Sequence, residues 1–181
     1  MVGTAVTVVL LISGSTRGAS TNSAALRTVQ ALAPAEVDVR WFGGLADLPA
    51  FNPDYDGTAH PSVLALREQL SQADAVLFCT PEYAGTLPGS LKNLLDWTVG
   101  SADLYEKPTA WINVAAPDRG EGAAATLALV LGYVGADVDP DGCARLPVGR
   151  DDVGPDGLVG TTEFRSGAIE ALNNLVARTA H

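Results

Sequence analysis

The chain has 181 residues, 47% of them apolar and only 6% aromatic, with a formal net charge of −10. That length suits one well-buried domain and is short for two, with a core filled by small aliphatic side chains. So acidic a chain argues against nucleic acid or an anionic membrane surface as a partner, since both recruit Lys and Arg. Two histidines, His60 and His181, and two cysteines outside any CxxC pair, Cys79 and Cys143, argue against a histidine-ligated metal or a disulfide framework.

Residues 6–12 form a continuous β-branched and leucine run, the composition of a strand buried on both faces. The run lacks a basic leader, is too short to span a membrane, and stops at Ser13-Gly14-Ser15. It reads as a strand, and the protein as cytoplasmic. A helix follows over 24–32, with Leu26, Val29 and Leu32 at helical spacing.

Between strand and helix lie the hydroxyls of Ser15, Thr16, Ser20 and Thr21, the amide of Asn22 and one cation, Arg17. A helix N-terminus leaves backbone N–H groups unpaired and carries partial positive charge, so it favours an anion. Hydroxyls can wrap a phosphate while a guanidinium grips two of its oxygens. A second reading stays open, in which Ser20 or Thr21 simply caps the helix. The Walker-type Lys-Ser/Thr and the three spaced glycines of the dinucleotide fingerprint are both missing, which points to a monophosphate.

Residues 37–42 alternate as a strand near a sheet edge, and 43–59 form a long loop, a candidate functional rim. Pro61 suits the first turn of a helix whose buried stripe is Val63, Leu66 and Leu70. A third strand over 75–79 runs into a loop over 81–89, then a helix with Leu91, Leu94 and Leu95 on one face. The fourth strand spans 108–116 and ends in Ala115-Ala116-Pro117-Asp118-Arg119-Gly120; a helix follows with Leu127, Val130, Leu131 and Val134 in register. A fifth strand falls within 136–146, the Gly- and Asp-rich 147–160 reads as a surface loop, and a last helix uses Ile169, Leu172, Leu175 and Val176. This alternation implies a parallel sheet with helices on both faces. Ligands in such sheets sit beyond the carboxyl ends of the strands, so loops 14–22, 81–89 and 115–122 should converge.

Two of those loops resemble a known family. Gly14-Ser15-Thr16-Arg17-Gly18-Ala19-Ser20-Thr21-Asn22 is similar to the Gly-Ser-x-Arg-x-x-Ser-x-Asn signature of NAD(P)H-dependent FMN reductases. The stretch from Pro81-Glu82-Tyr83-Ala84-Gly85 through Trp97 resembles that family's Pro-Glu-Tyr-Asn loop and the helix after it. The resemblance covers essentially the whole chain. It implies one flavodoxin-like domain over 1–181: an α/β three-layer sandwich with a five-stranded parallel sheet of order 2-1-3-4-5. It also implies bound FMN, with the phosphate on Ser15, Arg17, Ser20, Thr21 and Asn22. The ring would lie against Pro81, Glu82, Tyr83, Ala84 and Gly85, with Ala116 and Pro117 carried over as contacts from the third loop.

The implied activity moves hydride from NADPH or NADH through FMN to a small-molecule acceptor such as a quinone, a flavin, an azo compound or a metal oxyanion, with ping-pong kinetics. No side chain is expected to act as a nucleophile or base. A homodimer or homotetramer is implied, with the helix over 91–97 a plausible contact. Two departures stand out: Ala84 replaces the family's Asn, and the third loop lacks the usual Ser and Gly-Gly. They keep a flavodoxin-like electron carrier and a flavin-free binding scaffold as rival functions, although Arg17 counts against the carrier. Several residues also have plain structural readings: Glu82 as a capping acid, Tyr83 as a core aromatic, Trp97 as a packing or interface anchor. Lys92, Asn93 and Asp96 suit a solvated or subunit-facing helix surface. Arg119 suits either the 2′-phosphate of a nicotinamide nucleotide or an exposed loop.

Overall fold

The computed structural model describes residues 6–55, 58 and 60–180. At its centre β1 (Thr7–Ser13) pairs in parallel with β2 (Val37–Phe42) on one side and β3 (Ala75–Cys79) on the other. Next to β3 runs β4 (Pro108–Asn113), and the position beyond it is shared by β5 (Asp137–Val138) and β6 (Ala144–Arg145), both parallel to β4. The order is β2-β1-β3-β4-β5, with β6 on the same side of β4.

The sheet is covered on both faces, and the two-residue period of its strands divides the core. Val9 and Leu11 of β1 and Leu77 of β3 face α1 (Thr21–Leu32) and α5 (Thr162–Ala177), where they meet Leu26, Val29, Phe164 and Leu172. Leu10, Ile12, Val76 and Phe78 point the other way, onto α2 (Pro61–Gln72), α3 (Gly89–Val99) and α4 (Glu121–Tyr133). Both halves of the continuous apolar runs are therefore used. The order 2-1-3-4-5 and the helices on both faces agree with the flavodoxin-like expectation.

Four expectations need correction. Helix α1 starts at Thr21, three residues before its apolar period, because Ser20 caps it: its Oγ accepts the Ser23 N–H at 3.0 Å. Strand β4 stops at Asn113, whose side chain accepts the Ala115 N–H at 3.0 Å and turns the backbone out of the sheet. The fifth strand is two fragments, separated by a turn in which Asp139 Oδ1 accepts the Asp141 N–H at 3.1 Å. The apolar stripe of α5 is Phe164, Ala168, Ala171, Leu172 and Leu175, with Ile169 and Val176 half-buried at its margins.

Leu91, Leu94 and Leu95 are fully buried, and Trp97 keeps 1% of its surface. The apolar face of α3 is thus spent inside its own core and cannot serve as a subunit contact. Asn93 is half-buried on that helix surface, with both ends of its side-chain amide engaged within the chain. Its Nδ2 donates to Pro49 O and its Oδ1 accepts from Phe51 N, while Trp97 Nε1 also donates to Pro49 O, at 2.8–2.9 Å. These bonds dock the loop after β2 onto α3, with Phe51 edge-on to Trp97 at 5.1 Å. Asp56, Gly57 and Ala59 of that loop, and His181, lie outside the described residues. No helix among the described residues is long and apolar enough to cross a membrane.

Candidate active site

The loops after β1, β3 and β4 leave the same edge of the sheet, as the parallel order requires. Against them lies a cavity of about 860 Å³. Ser15, Arg17, Ser20, Thr21 and Asn22 from the first loop and the start of α1 line it, together with Pro81 and Tyr83 from the second. Seven of the twelve residues that the resemblance assigns to the cofactor therefore meet at one place.

Their side chains are not equally available. Ser20 Oγ, besides capping α1, donates to Ser23 Oγ at 2.9 Å. Ser15 Oγ accepts the Arg17 N–H at 3.2 Å and shapes the loop. Asn22 is 6% exposed, and its Oδ1 accepts the Cys79 thiol at 3.3 Å. Burial pushes the Cys79 thiol far above its ordinary range, so this contact is a neutral core bond. What Thr21 and Asn22 offer the cavity is their backbone N–H groups, which no preceding helical turn can satisfy. Capping by Ser20 and an anion site at the same terminus thus coexist, since the cap uses the amide of Ser23.

The second loop turns back on itself. Tyr83 and Thr86 exchange both backbone hydrogen bonds, at 3.0 and 3.1 Å, around Ala84 and Gly85. Both central residues have positive φ, 51° and 75°. This is the mirror-image turn that favours Asn-Gly, so the Asn at this position in the resembled family has a backbone reason as well as any ligand role. Ala84 and Gly85 are exposed and lie outside the cavity lining. Glu82 reaches away from the cavity: its Oε2 accepts the Ala123 N–H at 3.1 Å, capping the first turn of α4. Tyr83 is 50% exposed at the cavity wall and is not a core aromatic. The turn and α4 pack closely, for a Cβ on Gly122 would sit 2.1 Å from Gly85 O.

Ala116 and Pro117 are exposed and stand outside the lining. The Ala116 carbonyl instead accepts from Arg119 N at 3.1 Å and from Arg145 Nη2 at 2.9 Å. Thr16 faces a smaller adjoining cavity with Trp41, Gly43 and Ala46.

Much of the opposite wall comes from the segment read as a surface loop. Arg150, Val153, Gly154, Pro155 and Gly157 line the large cavity, as do Arg27 and Arg119. The segment is anchored at both ends: Val148 N donates to Val114 O at 3.0 Å, and Val159 N to Thr28 Oγ1 at 2.8 Å. Its only trace in the sequence is a pair of valines, Val148 and Val159, bracketing the polar run; both are buried. Arg27 donates to Gly18 O at 3.2 Å and lies over Trp41, so it holds the first loop in shape. The side chains of Arg17, Arg119 and Arg150 have no hydrogen-bond or ion-pair partner among the described residues. No acidic side chain among the described residues lines the cavity.

A basic cavity at the carboxyl edge of a 2-1-3-4-5 sheet suits an anionic ligand, and sequence comparison places the chain in a family. Residues 7–147 match the NADPH-dependent FMN reductase family. The chain belongs to that family. Among its relatives, a quinone reductase of Escherichia coli is 40% identical over 91 residues, which are 49% of this chain and 48% of that one. An NAD(P)H-dependent FMN reductase of Pseudomonas aeruginosa is 43% identical over 90 residues, again 49% and 48%. The matched segment thus spans about half the length of these curated relatives. Over the full fold, FerB of Paracoccus denitrificans, a flavoenzyme NAD(P)H:(acceptor) oxidoreductase, superposes with a TM-score of 0.81 at 28% identity, covering 96% of this chain and 99% of its own.

Proposed function

We propose that the chain is an FMN-dependent oxidoreductase that uses NAD(P)H to reduce a quinone, a flavin or a similar small acceptor. The observation that carries this reading is the cavity wall at the start of α1, where the amides of Thr21 and Asn22, the hydroxyl of Ser15 and the unpartnered guanidinium of Arg17 come together. Such a donor set fits a phosphate monoester. FMN, when bound, supplies the two-electron chemistry, and the protein supplies orientation and electrostatics.

In this reading the first loop holds the phosphate. Pro81, Glu82, Tyr83, Ala84 and Gly85 present a fixed backbone turn to the ring, and Ala116 and Pro117 flank it. Glu82 acts as a positioning residue, since its bond to Ala123 N fixes the turn against α4. Reductant and acceptor share one cavity and must alternate in it, which gives ping-pong kinetics.

The reading treats residues 1–181 as one domain, placed in the cytoplasm, and extends to assembly. Helix α4 reads EGAAATLALVLGY, yet only Ala123, Leu127 and Leu131 are buried. A helix apolar all round belongs in an interior. Its outer face carries Leu129 and Tyr133, 61% and 85% exposed, beside small Ala125, Ala128 and Gly132. A second copy of the chain covering that face gives the homodimer or homotetramer.

The test is the visible spectrum of freshly purified protein, a titration with FMN and with riboflavin, and anaerobic addition of NADPH. Flavin bands that bleach, with FMN bound tighter than riboflavin, support the reading. Equal affinity for the two flavins would remove its basis.

A further inference from the structure

Positive charge is scarce in this molecule and nearly all of it is already engaged. Of the 11 Lys and Arg residues, Arg40, Lys92, Arg145 and Arg178 are paired with acids. Arg67 lies near Asp103, and Arg27, Lys107 and Arg165 donate to backbone carbonyls. Among the described residues, three side chains are left without a partner, and all three, Arg17, Arg119 and Arg150, line the same cavity. In a chain of net charge −10 this concentration is a feature of the site.

One phosphate monoester does not account for all three. It carries a charge of about −1.5 to −2, which the start of α1 and Arg17 already match. Arg119 follows β4, and β1 and β4 are separated by β3. At roughly 4.8 Å per strand the two loops leave the sheet about 10 Å apart.

Arg119 and Arg150, by contrast, are tied together. Arg145 Nη2 donates to the Arg119 carbonyl and the Ala116 carbonyl, both at 2.9 Å, and its Nη1 pairs with Glu121. Five residues further on, Arg150 stands on a segment held by the Val148–Val114 bond and by Gly149 N on Asp152 Oδ2 at 2.7 Å. The acids next to them in sequence, Asp118 and Asp151, do not line the cavity. The guanidinium groups are therefore displayed from braced backbone and not neutralised from within.

We propose that Arg119 and Arg150 form a second anion grip that binds the 2′-phosphate of the reductant, so that this chain selects NADPH over NADH. The inference rests on the oxidoreductase reading above. A guanidinium pairs bidentately with a phosphate, and two of them match a dianion that NADPH carries and NADH lacks.

The test is calorimetric titration of the FMN-saturated protein with NADP⁺ and with NAD⁺, beside FMN affinity from flavin fluorescence. Wild type should bind NADP⁺ at least about tenfold tighter than NAD⁺. Loss of charge-assisted bonds in the Arg119→Ala/Arg150→Ala double variant should weaken NADP⁺ roughly 10- to 100-fold. NAD⁺ and FMN should stay within about twofold, and Arg150→Lys should recover part of the loss. An unchanged NADP⁺/NAD⁺ ratio overturns the proposal. So does a fall in FMN affinity in the double variant, which assigns both arginines to the flavin phosphate. If wild type fails to take up FMN yet keeps the dinucleotide preference and its loss in the variant, the oxidoreductase reading fails while this grip stands.

Discussion

The two ends of the cavity are built by different means. At the α1 end, the wall's character comes from charge and from unpaired donors: Arg17, Thr21, Asn22 and the Ser15 hydroxyl face the space while Ser20 spends its hydroxyl on the helix cap. At the β3 end it comes from backbone shape: a tight turn at Ala84 and Gly85, capped onto α4 through Glu82 and wedged against Gly122. The first end should therefore be sensitive to side-chain chemistry and indifferent to small changes of shape, and the second the reverse.

Arg17→Ala is the sharpest way to break the first end. Removing one charge-assisted contact of about 1.5–3 kcal/mol should weaken FMN by one to two orders of magnitude, with riboflavin affinity and melting temperature unchanged. Parallel flavin titrations measure it, and an equal loss for riboflavin would show that Arg17 does not meet the phosphate. Gly122→Ala strikes the second end. The new Cβ would meet Gly85 O, so turn and helix must separate. We expect a loss of roughly 1–3 kcal/mol by denaturant titration, the usual range for overpacking. A stability within experimental error of wild type would mean that the turn yields freely.

A smaller effect separates backbone from ligand at Ala84. Its φ of 51° strains a residue that carries a Cβ, and Asn visits this region more readily. Ala84→Asn should stabilise the apoprotein by up to about 1 kcal/mol, with FMN affinity gaining no more than that. A gain in FMN affinity with unchanged apoprotein stability would instead place the side chain at the ring. Smallest is Glu82→Gln, which keeps an acceptor for Ala123 N but removes the charge from the start of α4. The expected cost is about 0.3–1 kcal/mol, and it should shrink as salt rises. A salt-independent cost would point to lost geometry.

What could be read in advance follows the same division. Strands β2 and β3 were legible to the residue because each is a short apolar or alternating run closed by polar neighbours, and a strand buried in a parallel sheet has few other ways to read. The first loop's place at the cavity was legible because hydroxyls and a lone arginine between a strand and a helix suit an anion. The start of α1 was misplaced since a capping serine lies outside the apolar period that marks a helix. Strand fragments of two residues, β5 and β6, have no period at all. The far wall of the cavity was missed because Gly, Asp and Pro signal a loop without saying what it faces. Only the buried valines at its two ends, Val148 and Val159, hold it against the site. Glu82 and Ala84 show the converse: residues singled out by resemblance to a binding motif turn out to shape the backbone of that motif.

The interrupted fifth position of the sheet has a consequence for how copies of the chain can meet. A long free strand edge is a row of open donors and acceptors that invites another chain to add on, as in domain swapping or fibril growth. Here β5 and β6 offer two residues each, out of line with one another and separated by a turn braced on Asp139. Arg178 also lies across the first fragment, bonded to both oxygens of Asp137 at 2.5 and 2.6 Å. A guest strand could form only a bond or two before the ladder broke, so templated growth is closed at this edge of the sheet, while the opposite edge, β2, presents six residues paired on one side only.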